Sequence, residues 1–276
     1  MIDEIDSLPA PVSYRELDRI LLLSCRYMSY RFRFHKRVAS MSPRFATWMF
    51  FILAGFYKFI IGLLRKIAPE RYTDADPYKY IYVDPSNIEY MTDEILSKRR
   101  GWVVDGEWDL NGDRYMDRTF ATAIEQRFVE GLEWEETVLA NKYEGQKFER
   151  RCAAIDRLYR HIRENGYKSQ RQLLEEDPEA AWDGLNDAMH PLANEVAVDI
   201  GRDGELLWNI CGQHRLAIAK ILDIDLIPVQ VFRRHTEWQN LRNKVRSDSS
   251  IPSEKEQHAD LQDLLIDSAL NVEVGS

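Results

Sequence analysis

Residues 195–232 read as strand, tight turn, strand, helix and strand in close succession, an order that excludes all-helical and all-β folds. Residues 195–200 (EVAVDI) alternate as a half-buried strand does. Gly201-Arg202-Asp203-Gly204 makes a turn in which both glycines accept positive φ, and residues 205–210 (ELLWNI) return. After Cys211-Gly212-Gln213-His214-Arg215 comes an alanine-containing helical run at 216–222, broken at Asp223 and Asp225. Residues 227–232 (IPVQVF) form another strand. Upstream, residues 78–83 (YKYIYV) alternate as a strand. Residues 117–130 form a helix with Phe120, Ile124 and Phe128 on one face and Gly131 past its end. Phe148, Cys152, Ile155, Tyr159 and Ile162 make a second helical stripe, ended at Asn165-Gly166. A hairpin within alternating strands and helices predicts a mixed α/β (α+β) domain.

Apolar residues make up 45% of the 276 and charged residues 30%, the balance of a folded chain of one or two domains. Residues 47–64 (TWMFFILAGFYKFIIGLL) are apolar except Lys58, and Arg65 and Lys66 close the run. That length is at the lower limit of a bilayer span. One lysine costs roughly 2.5–3.5 kcal/mol on insertion scales, which so much apolar surface offsets. Three readings stand: a transmembrane helix, a helix lying in the membrane plane between basic flanks, and a helix buried against the rest of the protein. Ser13 and Glu16 form a capping box, followed by Leu17, Ile20, Leu21 and Met28 at helical spacing. A basic run (Arg26, Arg31, Arg33, His35, Lys36, Arg37, Arg44) then leads into the apolar stretch, a position that favours anionic lipid over DNA.

The expected organisation is a helical region over 1–67, a polar, proline-bounded linker over 68–77, a main domain over 78–246 and a polar acidic tail over 247–276. The tail carries one short helix at 253–266. The first thirteen residues are acidic and lack an apolar core, so no signal peptide is expected. Cys25, Cys152 and Cys211 stand too far apart for a disulfide framework or a zinc site. Cys152 lies on the helical stripe and reads as a core thiol. A cytoplasmic protein with a membrane contact through residues 47–64 is the expectation. A net charge of −9 disfavours nucleic acid as a partner but leaves room for a local phosphate site. The tryptophans, including Trp102, Trp108, Trp134, Trp182, Trp208 and Trp238, read as packing residues.

Gly212, His214 and Arg215 at a helix start carry the chemistry. A glycine permits close approach to the backbone, and the first helical turn offers free N–H groups and the positive end of a dipole. His214 and Arg215 add donors suited to phosphate oxygens. An ordinary strand-to-helix turn whose arginine pairs with a nearby carboxylate accounts for the same residues.

The run from Glu195 to Phe232 resembles the core of the ParB/sulfiredoxin superfamily: strand, D-G turn, strand, G-x-x-R, helix, I-P-V strand. The resemblance covers roughly residues 78–235, with residues 93–147 as an insertion. ParB proteins have G-E-R-R at this turn and hydrolyse CTP. Sulfiredoxins have G-C-H-R and use ATP, and an archaeal free serine kinase with G-H-H-R transfers phosphate from ADP. The resemblance therefore implies that Gly212, Gln213, His214 and Arg215 bind a nucleotide (ATP, ADP or CTP), with Mg²⁺ bridging its phosphates to a carboxylate. Gln213 replaces the reactive cysteine of sulfiredoxins, which argues against sulfinic-acid reduction. Comparison with the serine kinase implies Glu89 as the catalytic acid–base near the opening strand, Asp84 as second choice, and His214 on the phosphates. Arg233, Arg234 and His235, after the last strand, lie near this site or on a solvated edge. Expected functions are a phosphotransferase or nucleotide hydrolase, a non-enzymatic nucleotide-gated interaction module at a membrane, or a ParB-like DNA-binding or nuclease protein. No helix-turn-helix follows Phe232, which counts against the third.

Overall fold

The computed structural model describes residues 42–92, 100–182, 190–248 and 252–264. Ser13, Glu16, Cys25, the basic residues 26–37 and the end of the expected 253–266 helix lie outside the described residues. In chain order the elements are α1 (Pro43–Ile67), β1 (Tyr80–Val83), β2 (Tyr90–Met91), β3 (Trp102–Val104), α2 (Thr119–Phe128), α3 (Gly145–Asn165), α4 (Gln170–Glu176) and α5 (Pro178–Ala181). β4 (Val196–Ile200), β5 (Leu206–Trp208), α6 (Gln213–Ile221), β6 (Ile227–His235) and α7 (Thr236–Asp248) follow. The fold is mixed α+β, as the sequence predicts.

All nine residues of β6 are buried, as suits the middle of a sheet covered on both faces. The strand order is β1-β6-β4-β5-β2, with β3 also on β6. β6 runs antiparallel to β1 over residues 227–230 and parallel to β3 over residues 233–235. β4 and β5 form the hairpin, and α6 is the crossover that returns the chain parallel to β4. Apolar side chains of α2, α3 and α6 join those of the sheet in one core that includes Phe120, Ile155, Leu216 and Val229. Trp102, Trp108, Trp134, Trp208 and Trp238 are buried, as packing residues are. Cys152 is buried on α3, and burial pushes its thiol up to about 11.

Several segments differ from expectation. β6 extends three residues further than its apolar run, so Arg233, Arg234 and His235 are strand residues inside the protein rather than an edge beyond it. Each side chain has a partner there. Arg233 Nε donates to Asp199 Oδ2 at 2.6 Å, Arg234 pairs with Asp260, and His235 Nε2 lies 3.0 Å from the Gly106 carbonyl. Asp199 sits where the β4–β6 register shifts, and its Oδ1 accepts the Arg233 amide at 3.2 Å. A carboxylate thus satisfies a backbone donor beside the irregularity.

Residues 100–147, the described part of the expected insertion, are integral to the core. β3 pairs with β6, and Tyr115, Phe120, Ile124, Trp134 and Leu139 are buried in the main cluster. The polar segment 68–77 packs as well: Tyr72 bridges to Trp102, and Asp74 is buried against Arg242. At the other end α7 continues directly from β6. Over the described part of the expected 253–266 helix the chain forms a 3-10 turn at Ser253–Lys255 and is helical at 262–264, and Leu261 and Leu264 enter the core.

α1 is, among the described residues, the one helix long and apolar enough to cross a bilayer. Ser42 caps it by accepting the Phe45 amide, Pro43 starts it, and Arg65 and Lys66 complement its carboxyl end. Phe50, Ala54, Tyr57, Ile61 and Leu64 turn toward the domain.

Candidate functional site

Gly212 caps α6 in the left-handed region, at φ +73°. A Cβ there would stand 2.5 Å from Val196 Cα and 2.7 Å from its nitrogen. Both facts demand glycine. What approaches the Gly212 backbone is therefore β4 of the same chain, and the glycine serves to seat the helix start on the sheet. No side chain caps the first turn of α6. The Gln213 carbonyl accepts the Tyr115 hydroxyl, and the Cys211 carbonyl accepts Trp208 Nε1 at 2.8 Å.

Arg215 points inward. Its guanidinium lies 3.3 Å from Glu195 Oε1, Nε donates to the Tyr167 hydroxyl at 3.2 Å, and the Lys168 carbonyl takes a further N–H. The Tyr167 ring stacks below it, 4.4 Å from the guanidinium carbon. Glu195 also accepts the Gln170 amide at 2.7 Å. Burial holds the Glu195 carboxyl above the usual range, and the Arg215 charge only partly opposes that. This arginine is the anchor that ties α6 to the start of β4 and to the loop after α3.

His214 is also buried. Its ring stands edge-on to Phe120 at 4.7 Å, and Nε2 has no partner. Burial, helped by the nearby Arg151 charge, lowers its pKa to about 3. The imidazole is therefore neutral at physiological pH and offers one donor and one acceptor, not a cation. The folded pKa lies below the unfolded value near 6.5, so this contribution to stability is complete above pH ~6.5. It is lost as pH falls, by about 1.4 kcal/mol per unit, until the folded pKa is reached. Urea denaturation between pH 8 and 4.5 tests this. The wild-type slope is expected to exceed that of His214→Gln, and equal slopes would refute it.

Beside this turn lies a cleft of about 340 Å³. Met91, Asp113, Arg114, Asp117, Arg118, Thr119, Phe120 and Lys142 line it. Phe120 touches His214 of the turn, and Met91 pairs with Trp208 on β5, whose indole donates to the Cys211 carbonyl. Arg118 stacks over Trp208 at 4.5 Å, and its Nε is buried without a partner. Lys142 Nζ and the Arg151 guanidinium each stand 5.2 Å from the Phe120 ring centre. Cationic groups thus gather around the ring that covers His214. Sequence reasoning missed them, because residues 118, 142 and 151 are remote from Gly212 in the chain and follow no common spacing. Glu195 carried a signal: an acid opening an otherwise apolar buried strand needs a partner.

Glu89 lies in a second, neighbouring cleft of about 410 Å³, with Asp84, Ser86 and Lys220. It is exposed and 3.4 Å from Arg114, the residue that lines both clefts. Asp84 caps a 3-10 turn, and hydrogen bonds from the Ser86 side chain and then its amide hold its carboxyl below the usual range. The four turn residues are contiguous, but the histidine and arginine side chains face inward and Glu89 stands apart from them. Among the described residues no three His, Cys, Asp or Glu side chains converge as metal ligands.

No protein-family model, curated protein or solved structure matches the chain.

Proposed function

We propose that this is a ParB/sulfiredoxin-like nucleotide-binding protein that takes nucleotide phosphates in the cleft lined by Arg118 and Lys142 at the start of α2, with the α6 turn behind Phe120. The observation that supports it is the Arg118 guanidinium, whose buried Nε lacks a partner at the start of α2, a helix start that no side chain caps. A phosphate oxygen meets both needs, since it accepts from guanidinium and backbone N–H alike. Asp113 and Asp117 in the same cleft are the carboxylates open to a phosphate-bound Mg²⁺. In this proposal Gly212 and Arg215 set the position of the turn, and His214 backs the cleft through Phe120.

The enclosed His214 and Arg215 favour a nucleotide-gated binding module over a phosphotransferase. Transfer or hydrolysis is the second reading, carried by Glu89, which reaches the phosphate cleft through Arg114. The protein is cytoplasmic in this proposal, and α1 is its membrane contact.

Calorimetry on the full chain with ATP, ADP and CTP in the presence of Mg²⁺ tests the binding. Arg118→Ala is expected to weaken it by about tenfold or more, the value of a charge-assisted hydrogen bond. Absence of binding to the folded wild-type chain overturns the proposal. Release of inorganic phosphate or a nucleoside diphosphate, abolished by Glu89→Gln, would move the second reading to first place.

A further inference from the structure

One long helix in this protein is apolar on both sides. The inward side of α1 is spent on the domain, and polar bonds fix it there along most of its length. Thr47 Oγ1 lies 3.1 Å from His190 Nε2, and the Tyr57 hydroxyl donates to the Arg100 carbonyl at 2.7 Å. Lys58 pairs with Asp76 at 2.5 Å, and Arg65 donates to the Tyr72 carbonyl and to Asn243. The outward side is a stripe at helical spacing: Trp48, Ile52, Phe56, Phe59 and Leu63, each about half exposed or more. Phe59 is 68% exposed, which no soluble surface favours in a row of this kind.

These two sides decide between the orientations a bilayer allows. To span, α1 would have to leave the domain or carry Asp76, Arg100 and Asn243 into hydrocarbon with it, and charges there are costly. Lying flat, it keeps every polar bond and buries only the outward stripe. The charge of this part of the chain is suited to the same surface. Residues 19–69 hold ten Lys or Arg and no Asp or Glu, while the whole chain holds 37 Lys and Arg against 46 Asp and Glu. A strongly basic segment in an acidic protein is repelled by itself and attracted by anionic headgroups.

We infer that α1 is an in-plane anchor that rests its Trp48–Leu63 stripe on an anionic membrane surface, with the α+β domain held against that surface. The inference deepens the membrane contact proposed above and does not depend on nucleotide binding.

Co-sedimentation of the full chain with vesicles tests it. Binding is expected to phosphatidylcholine–phosphatidylglycerol vesicles, far less to phosphatidylcholine alone, and to weaken as salt is raised. Bound protein is expected to leave the vesicles in alkaline carbonate. Phe56→Ser with Phe59→Ser, both pointing away from the domain, is expected to reduce partitioning about tenfold or more with an unchanged thermal midpoint. Brominated lipids are expected to quench fluorescence in the wild type and much less in Trp48→Phe. Resistance to carbonate extraction would overturn the in-plane orientation while leaving a membrane contact in place. No partitioning of folded wild type into either vesicle would overturn both. Wild-type binding by the double serine variant would show that α1 is not the contact.

Discussion

Replacing Arg215 by methionine is expected to lower unfolding stability by about 3–5 kcal/mol, because it leaves the Glu195 carboxyl buried without its cation. The tyrosine and backbone donors that remain, from Tyr167 and Gln170, hold a carboxylate but do not neutralise it. Two isosteric changes separate loss of charge from loss of packing. Glu195→Gln alone strands the guanidinium and is expected to cost a similar amount. The double change Glu195→Gln, Arg215→Met removes both charges and is expected to recover part of the loss. Urea denaturation of the four proteins gives the coupling directly. Additive losses would show that the pair is not coupled. The result also bears on function: an Arg215 variant that fails to bind nucleotide reports a damaged turn, so Arg118 is the informative position.

Arg242→Ala is expected to be comparably damaging, by about 3–5 kcal/mol. Arg242 is fully buried on α7 and holds together three carboxylates from distant parts of the chain. Its N–H groups lie 2.9 Å from Asp74, 3.3 Å from Asp260 and 3.1 Å from Asp263. Asp74 belongs to the segment after α1, and Asp260 to the segment after α7, so one guanidinium closes both segments onto α7. Burial alone would raise the two inner carboxyls, but their arginine partners outweigh it. Arg242 holds Asp74 well below the usual range, and Arg234 with Arg242 brings Asp260 down to about 2. Their folded values lie below the unfolded value near 3.9, so the stabilisation is present above pH ~4 and is lost as pH falls through the folded values. The stability gap between wild type and Arg242→Ala is therefore expected to be full at pH 7 and to narrow below pH 4. A gap that stays constant down to pH 2.5 would refute the electrostatic origin.

The secondary structure of the site was legible because it depends on neighbours in the chain. The alternation of 195–200, the D-G turn, the glycine before α6 and the I-P-V strand appear within a residue or two of their expected places. Gly212 was legible as a glycine with a purpose, but the purpose was not. Its close approach is to Val196 on β4, and only the register of hairpin and helix brings that residue near. Arg215 likewise showed two faces in sequence, a phosphate ligand or the partner of a carboxylate. The structure supplies the carboxylate, Glu195, twenty positions away.

The end of β6 illustrates the opposite case. Arg233, Arg234 and His235 have the composition of a solvated edge, and a linear reading ends the strand before them. Their burial depends on Asp199, Asp260 and the Gly106 carbonyl, partners contributed by β4, the tail and the loop after β3. A buried charge is invisible in a sequence window, since its cost is cancelled only by groups that folding brings from elsewhere. Residues 68–77 and 253–264 read as linker and tail for the same reason.

Local propensity and side-chain period, which act between positions a few residues apart, determined α1, α2, α3 and α6, the hairpin and the mixed class of this fold from the sequence by itself, while α4, α5 and α7 went unread. The apolar length of α1 was equally plain. Which side of α1 faces the domain, which basic residues surround His214, and which carboxylate takes each buried arginine were decided by tertiary structure alone. These depend on contacts between residues far apart in the chain, where burial sets the energy and no periodic pattern records the partner.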